Sequence, residues 1–99
     1  MKRFIRYLDA LAKLNDLGCG KPVTWHFHPA MLFMSRDKWW GDFKYRATPH
    51  EGVDITYYTR GNPARPLCQF DPDVRVPALE PGRILNICHD FLGQSLVLE

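Results

Sequence analysis

The chain has 99 residues, of which 45% are hydrophobic and 13% are aromatic. A chain of this length forms one small domain and leaves no room for a second core. Its 13 Lys and Arg residues nearly balance its 11 Asp and Glu residues, and the formal net charge of +2 argues against a nucleic-acid surface. No apolar run approaches the roughly 20 residues of a membrane span, and no signal-peptide pattern is visible.

The first predicted element is an amphipathic helix over residues 2–17. Phe4, Leu8 and Leu11 recur at helical spacing, and the glycines at 18 and 20 are expected to stop the helix. Its polar face carries charges of both signs, so we expect it to pack on its own domain rather than on a membrane. Residues 1–20 therefore form an N-terminal helical unit, and residues 21–99 form a β domain.

Short β-strands are predicted after residue 20. The segments are rich in β-branched and aromatic residues and end at proline, glycine or aspartate. The predicted strands cover residues 23–28, 53–58, 74–76, 83–88 and 94–98. The last two are separated by a turn over residues 90–93. The sequence therefore predicts a mostly β protein with one N-terminal helix.

One short motif places two metal-ligand types close together in the chain. His50 and Asp54 flank Gly52 in the sequence His-Glu-Gly-Val-Asp. Zinc accepts imidazole nitrogen and carboxylate oxygen, but positions four apart in a straight strand lie about 13 Å apart. The chain must therefore bend, and glycine permits a bulge or a turn with positive φ. Glu51 beside the glycine is expected to be exposed.

The surroundings of this motif resemble the lysostaphin-type (LytM-like) zinc metallopeptidases, which cut peptide bonds in peptidoglycan. The His-x-Gly-x-Asp motif is matched by His50, Gly52 and Asp54. The segment 40–46 is loosely similar to the family's Phe-Gly-x-Arg, and the resemblance runs through residues 27–29, 74–84 and 92–98. It implies an antiparallel β-sandwich with zinc held by His50 and Asp54, and a place in the bacterial cell envelope.

The family pattern also contains a later His-x-His, which supplies the third zinc ligand and a catalytic histidine. No His-x-His follows Asp54 in these 99 residues. The resemblance therefore predicts a truncated domain that holds no complete catalytic set, binds zinc weakly or not at all, and is inactive by itself. A peptidoglycan peptide would be the substrate of the full-length form.

Other residues offer alternative sites. His26 and His28 form a His-x-His on a predicted strand, where both would share one face and could line the cleft. Trp39 and Trp40 could wall the same cleft or stack on a ligand. The odd set of cysteines at 19, 68 and 88 lacks the CxxC spacing of a zinc knuckle. Cys88, His89 and Asp90 are adjacent in a predicted strand, where neighbours point to opposite faces, so they are not expected to converge on one metal ion. Cys88 is instead expected to be a buried residue that leads into the turn at Asp90.

A second class of function stays open at this point. A non-catalytic β domain could bind a protein or cell-wall partner through the same groove. The apolar residues at 96–98 would make the last strand prone to pairing, so a homodimer through an exposed strand edge is also predicted.

Overall fold

A computed structural model describes residues 2–62, 66–90 and 93–99, and its elements confirm a mostly β chain with one N-terminal helix. The β structure is divided between two small antiparallel sheets, one with the order β1-β2-β3 and one that pairs β4 with β5. The elements in chain order are α1 (Lys2–Leu14), β1 (Val23–His26), a 3-10 turn (Pro29–Met31), β2 (Tyr57–Arg60), β3 (Cys68–Gln69), β4 (Ile84–Asp90) and β5 (Gly93–Leu98).

The helix ends three residues earlier than predicted, and the glycines are not what stops it. Asp16 adopts a left-handed conformation with φ 47°. The backbone N–H groups of Asp16 and Leu17 donate to the carbonyls of Lys13 and Ala12, respectively. This pair of bonds is a Schellman motif, in which a short polar residue replaces the more common glycine. It turns the chain so that Leu17 is buried beneath the helix.

The three-stranded sheet carries an aromatic cluster. Trp25 of β1 lies opposite Tyr58 of β2, and their rings and that of Phe70 lie with centroids 5.9 Å apart. The predicted strand 23–28 ends at His26, and the predicted strand 53–58 begins only at Tyr57. Strand β3 was not predicted, because two residues are too few to show an alternating pattern.

The second sheet is a hairpin, and it confirms the two predicted C-terminal strands. β4 and β5 pair with a register shift between Ile84 and Asn86. Two residues of the predicted turn, 91 and 92, lie outside the described residues. The predicted strand at 74–76 does not form, because the backbone N–H and carbonyl of Arg75 pair with the side-chain amide of Asn15 instead.

A small core joins the helix to the three-stranded sheet. The guanidinium of Arg60 donates to the carbonyl of Leu17, and the rings of Phe4 and Phe27 lie 6.2 Å apart. The helix therefore packs on its own domain. The described part of the chain contains no helix both long and apolar enough to span a bilayer. Among the residues whose burial is described, the buried apolar ones are Leu8, Leu11, Leu17, Ala30, Met31 and Tyr58.

Candidate functional site

Two irregular segments, residues 31–38 and 44–54, run beside each other and position the site. The backbone of His50 bonds to both Met34 and Ser35, with N–O distances of 2.7 and 2.8 Å. The N–H of Asp54 donates to the carbonyl of Met31 at 2.9 Å. Because Met31 is fully buried, the backbone of Asp54 is fixed directly to the core. The motif therefore lies on a supported loop rather than on a strand.

The structure brings the side chains of His50 and Asp54 together. His50 Nε2 lies 3.3 Å from Asp54 Oδ1, and both side chains are partly buried. His50 Nδ1 lies 3.1 Å from the carbonyl oxygen of Leu32. A carbonyl oxygen can only accept, so Nδ1 must donate to it. In the neutral ring Nε2 then has a lone pair directed at a carboxylate oxygen, and these two acceptors require a proton or a cation between them.

The second oxygen of Asp54 is held by two other side chains. Trp39 Nε1 donates to Asp54 Oδ2 at 2.7 Å, and Arg46 Nη2 lies 3.8 Å from the same oxygen. The indole bond is short and fixes the rotation of the carboxylate. Asp54 therefore presents Oδ1 alone to His50.

Arg46 is itself immobilised beside the site. Its guanidinium lies over the Trp40 ring, 4.5 Å from the centroid, and donates to the carbonyls of Ala30 and Asp37. The stacking and the bonds leave this cation in one position. It therefore supports Asp54 and is not a free anion-binding group.

The bend between the two candidate ligands forms without the left-handed glycine that the sequence allowed. The chain bends at Glu51 and Gly52, but Gly52 is absent from the residues with positive φ. A Cβ added at Gly52 would meet nothing within 4 Å. The predicted exposure of Glu51 is confirmed. The convergence of His50 and Asp54 therefore depends on the backbone bonds of the loop rather than on glycine.

An open groove of about 540 Å³ lies beside His50. Trp40 and Tyr45 supply aromatic surface to its lining, and Thr48 and Glu51 supply polar groups. The loop that carries Trp40 is braced by a salt bridge of 2.7 Å between Lys38 and Asp42. The Lys38 ammonium, together with a bond from the Lys44 backbone, holds the pKa of Asp42 below its usual value.

His26 and His28 form hydrogen bonds outside the His50–Asp54 site. His26 Nε2 pairs with the hydroxyl of Thr59 at 3.0 Å, and His28 Nδ1 accepts from the N–H of Ala30 at the start of the 3-10 turn. His28 lies beyond the end of β1, so the two rings do not share one strand face as predicted. Within residues 2–62, 66–90 and 93–99, no three His, Cys, Asp or Glu side chains form a group able to hold a metal.

The Cys88-His89 pair is separated as predicted. The register sets Cys88 opposite Ser95 and His89 opposite Gln94, on opposite faces of the hairpin. Cys88 is only partly buried, because one face of a two-stranded ribbon cannot enclose it.

Two contributions to the site were missed from the sequence. The bond from Trp39 to Asp54 joins positions 15 residues apart. The carbonyl of Leu32 that orients His50 is a backbone group, which no sequence pattern marks. The only signal for Trp39 was that a half-buried indole N–H needs a partner.

Comparisons of the chain with protein-family models, with curated proteins and with solved structures find no match.

Proposed function

We propose that His50 and Asp54 are two ligands of a catalytic zinc site, in a domain like the lysostaphin-type metallopeptidases. Such a domain, with a complete set of zinc ligands, would hydrolyse peptide bonds in peptidoglycan. The observation that carries the proposal is the approach of two atoms of zinc-ligand type, His50 Nε2 and Asp54 Oδ1, to 3.3 Å. The sandwich arrangement and the cell-envelope location implied by the resemblance belong to the same proposal.

The spacing of the donors fits the proposed metal. Two ligands at about 2.0–2.2 Å from a tetrahedral zinc ion lie about 3.3–3.6 Å from each other. The distance between His50 Nε2 and Asp54 Oδ1 falls at the lower end of that range. A backbone carbonyl behind His50 and an indole behind Asp54 are also the kinds of partner that orient ligands in zinc sites.

Each residue then has a defined task. His50 and Asp54 would hold the ion, and Trp39 and Arg46 would keep the Asp54 carboxylate in its orientation. When bound, zinc polarises a scissile carbonyl and activates water. The groove beside His50 would receive the peptide. A third ligand and a second histidine are required from a His-x-His of the family type, so the two-ligand set should bind zinc weakly.

A second candidate is a non-catalytic domain that binds a protein or cell-wall partner through the same groove. The exposed rings of Trp40 and Tyr45 along its wall favour this alternative. Aromatic rings of this kind supply contact area at low entropic cost. The two candidates differ in whether His50 and Asp54 are needed for the interaction.

A zinc titration followed by NMR of the histidine ring protons tests the metal site. We expect one weak site, with a dissociation constant above about 10 µM, that perturbs His50 first. His50→Ala and Asp54→Ala should each abolish the perturbation. His28→Ala is the matched control, since His28 only caps the 3-10 turn, and it should leave the titration unchanged.

The opposite pattern would overturn the assignment. Zinc binding that survives His50→Ala but is lost in His26→Ala or His28→Ala would move the site to the upstream pair. A peptidoglycan digestion assay with zinc completes the test. We expect no hydrolysis by these 99 residues, and hydrolysis that depends on His50 would show that the chain itself supplies the third ligand.

A further inference from the structure

A small cavity of about 170 Å³ lies where the end of α1 meets the three-stranded sheet. Leu17 and Val74 supply aliphatic surface to its lining, and Tyr58 and Phe70 supply aromatic surface. The ring centroids of Tyr58 and Phe70 lie 5.9 Å apart, and the rings are tilted by 30°. Sites for drug-sized ligands measure roughly 300–1,000 Å³, so this cavity has room for one short side chain or one small molecule.

Two carboxylates also line the cavity. Asp71 and Asp73 are the charged residues of the described lining, and both are exposed. A turn holds them, since the N–H of Asp73 donates to Asp71 Oδ1 at 2.9 Å and the N–H of Val74 donates to the carbonyl of Asp71 at 3.2 Å. Among the described residues neither carboxylate forms an ion pair. Their negative charge is therefore left uncompensated by this part of the chain.

The hydroxyl of Tyr58 is a third polar group of the cavity. Tyr58 is only 4% exposed, and its hydroxyl forms no hydrogen bond with any described residue. The described side chains include no fully enclosed polar atom without a partner. The hydroxyl must therefore reach solvent, and the cavity is the open space that Tyr58 lines. A hydroxyl on so deeply buried a ring is expected to find a partner, so it is available to a ligand.

The cavity offers hydrogen-bond acceptors and no cation of its own. Asn15 lines it, but both N–H groups of its amide donate to backbone carbonyls and its oxygen accepts from a backbone N–H. The guanidinium of Arg60 lies over the Tyr58 ring, but it donates to the carbonyl of Leu17 and is not part of the described lining. The groups that remain for a ligand are therefore two carboxylates and one hydroxyl, which suit a positively charged donor.

We infer that this cavity is a binding site for a primary ammonium group on a short alkyl chain. An ammonium carries three N–H donors and no acceptor, and Asp71, Asp73 and the Tyr58 hydroxyl offer three acceptor groups. The alkyl chain packs on Leu17 and Val74, and aromatic rings attract a positive charge beside them. A neutral or anionic ligand would leave the two carboxylates uncompensated. A free alkylamine and a lysine side chain both carry the required group.

This inference does not depend on the proposed zinc site. None of the described residues that line the cavity lies within residues 31–54. Loss of zinc binding in the His50 and Asp54 variants and loss of amine binding in the cavity variants can therefore be observed separately.

Titration of the whole chain with n-butylammonium chloride, followed by the NMR signals of the Tyr58 and Phe70 rings, tests the site. We expect saturable shifts with a dissociation constant of about 1–10 mM. The uncharged n-butanol has the same alkyl chain and should bind at least about tenfold more weakly. Asp73→Asn and Tyr58→Phe should each weaken amine binding about fivefold. Asp9→Asn is the matched control, because Asp9 is exposed on α1 and does not line the cavity, and it should change the constant by less than about twofold.

Tyr58→Phe also separates binding from folding. If the hydroxyl serves a ligand and not the fold, its loss should shift the midpoint of thermal unfolding by less than about 2 °C. A larger fall would overturn the role given to Tyr58. Equal binding of n-butanol would overturn the inference, as would equal effects of Asp9→Asn and Asp73→Asn. So would binding of Ca²⁺ at the two aspartates with no response to the amine.

A second titration distinguishes the two sources of the ammonium group. Nα-acetyl-lysine methylamide carries the same alkylammonium group on a peptide backbone. Binding within about threefold of n-butylammonium would indicate a lysine side chain of a peptide or protein, and loss of binding would indicate a free amine. Failure of both compounds to bind would overturn the inference.

Discussion

Asp54 divides its two carboxylate oxygens between different partners. Oδ2 is held by the indole of Trp39 and lies near Arg46, whereas Oδ1 faces His50. A carboxylate held in this way presents one oxygen in a fixed direction. This arrangement suits a ligand of a metal that accepts a single oxygen.

Replacing Trp39 with Phe tests whether the indole positions Asp54. The substitution keeps an aromatic ring but removes the N–H donor, so Asp54 can rotate, and the smaller ring is matched in the Trp40→Phe control. We expect the zinc affinity of the proposed site to fall about 10–100-fold, as is usual when an outer partner of a ligand is removed. Competition with a chromophoric chelator measures the change.

Trp40→Phe serves as the control for this substitution. It keeps an aromatic ring beneath Arg46 and does not touch the bond from Trp39. The affinity should stay within about twofold of the wild type. Equal effects of the two substitutions would contradict a positioning role for Trp39.

The sequence predicted which residues form the site but not how they are brought together. The identity of His50 and Asp54 as a pair follows from ligand chemistry and from the family motif. The means by which they meet does not, because it depends on bonds from Met31, Met34 and Ser35 that lie far away in the chain. The sequence allowed the bend at Gly52 through a bulge or through a turn with positive φ, and Gly52 does not adopt positive φ.

At the scale of elements, α1 is fastened to the segment that precedes the hairpin. The Tyr7 hydroxyl donates to the carbonyl of Pro77 at 2.9 Å, and the side chain of Asn15, the residue after the helix, bonds to the backbone of Arg75. Helical periodicity predicted α1. The strand predicted at 74–76 does not form, because the Asn15 side chain takes the backbone groups that a neighbouring strand would have paired with. A side chain that competes for backbone groups is not visible in a hydropathy pattern.

The Tyr7 bond should make stability depend on pH in the alkaline range. Burial raises the pKa of Tyr7 above its ordinary value of 10.0. The unfolded chain therefore ionises first as pH rises, so the contribution of Tyr7 is fully present below about pH 10 and is lost as pH rises through the folded pKa. The Tyr7→Phe variant lacks the ionisable hydroxyl, so its stability should not show this decrease at alkaline pH.

Urea unfolding at several pH values measures this difference. Near neutral pH we expect the wild type to be more stable than Tyr7→Phe by at most about 1 kcal/mol, because the bond is partly exposed. The difference should narrow above about pH 10. A gap that stays constant through that range would show that the Tyr7 hydroxyl does not titrate as expected.

At the scale of the whole molecule, the core is small for the chain. Met31 is fully buried, and its carbonyl also anchors Asp54. Domains of this size are stable by only about 5–15 kcal/mol. Truncation of one large core side chain can therefore remove much of the free energy of unfolding. It can also loosen the anchor of Asp54.

Met31→Ala should lower the free energy of unfolding by about 2–5 kcal/mol. Met34→Ala is the matched control, since it deletes the same atoms from a side chain that is 59% exposed. We expect the control to change stability by less than about 1 kcal/mol. Thermal or urea unfolding measures both, and similar losses would contradict the placement of Met31 in the core.

The two hydrogen bonds between Asn15 and Arg75 affect how the protein can evolve. The side-chain amide of Asn15, the residue after α1, pairs with both the N–H and the carbonyl of Arg75, so the segment that leads to the hairpin is attached at the end of the helix and not to the loops that form the site. Residues 78–82, which follow this anchor, are exposed. Insertions or deletions within residues 78–82 would change the position of the hairpin without changing residues 31–54. The hairpin and the site can therefore diverge at different rates.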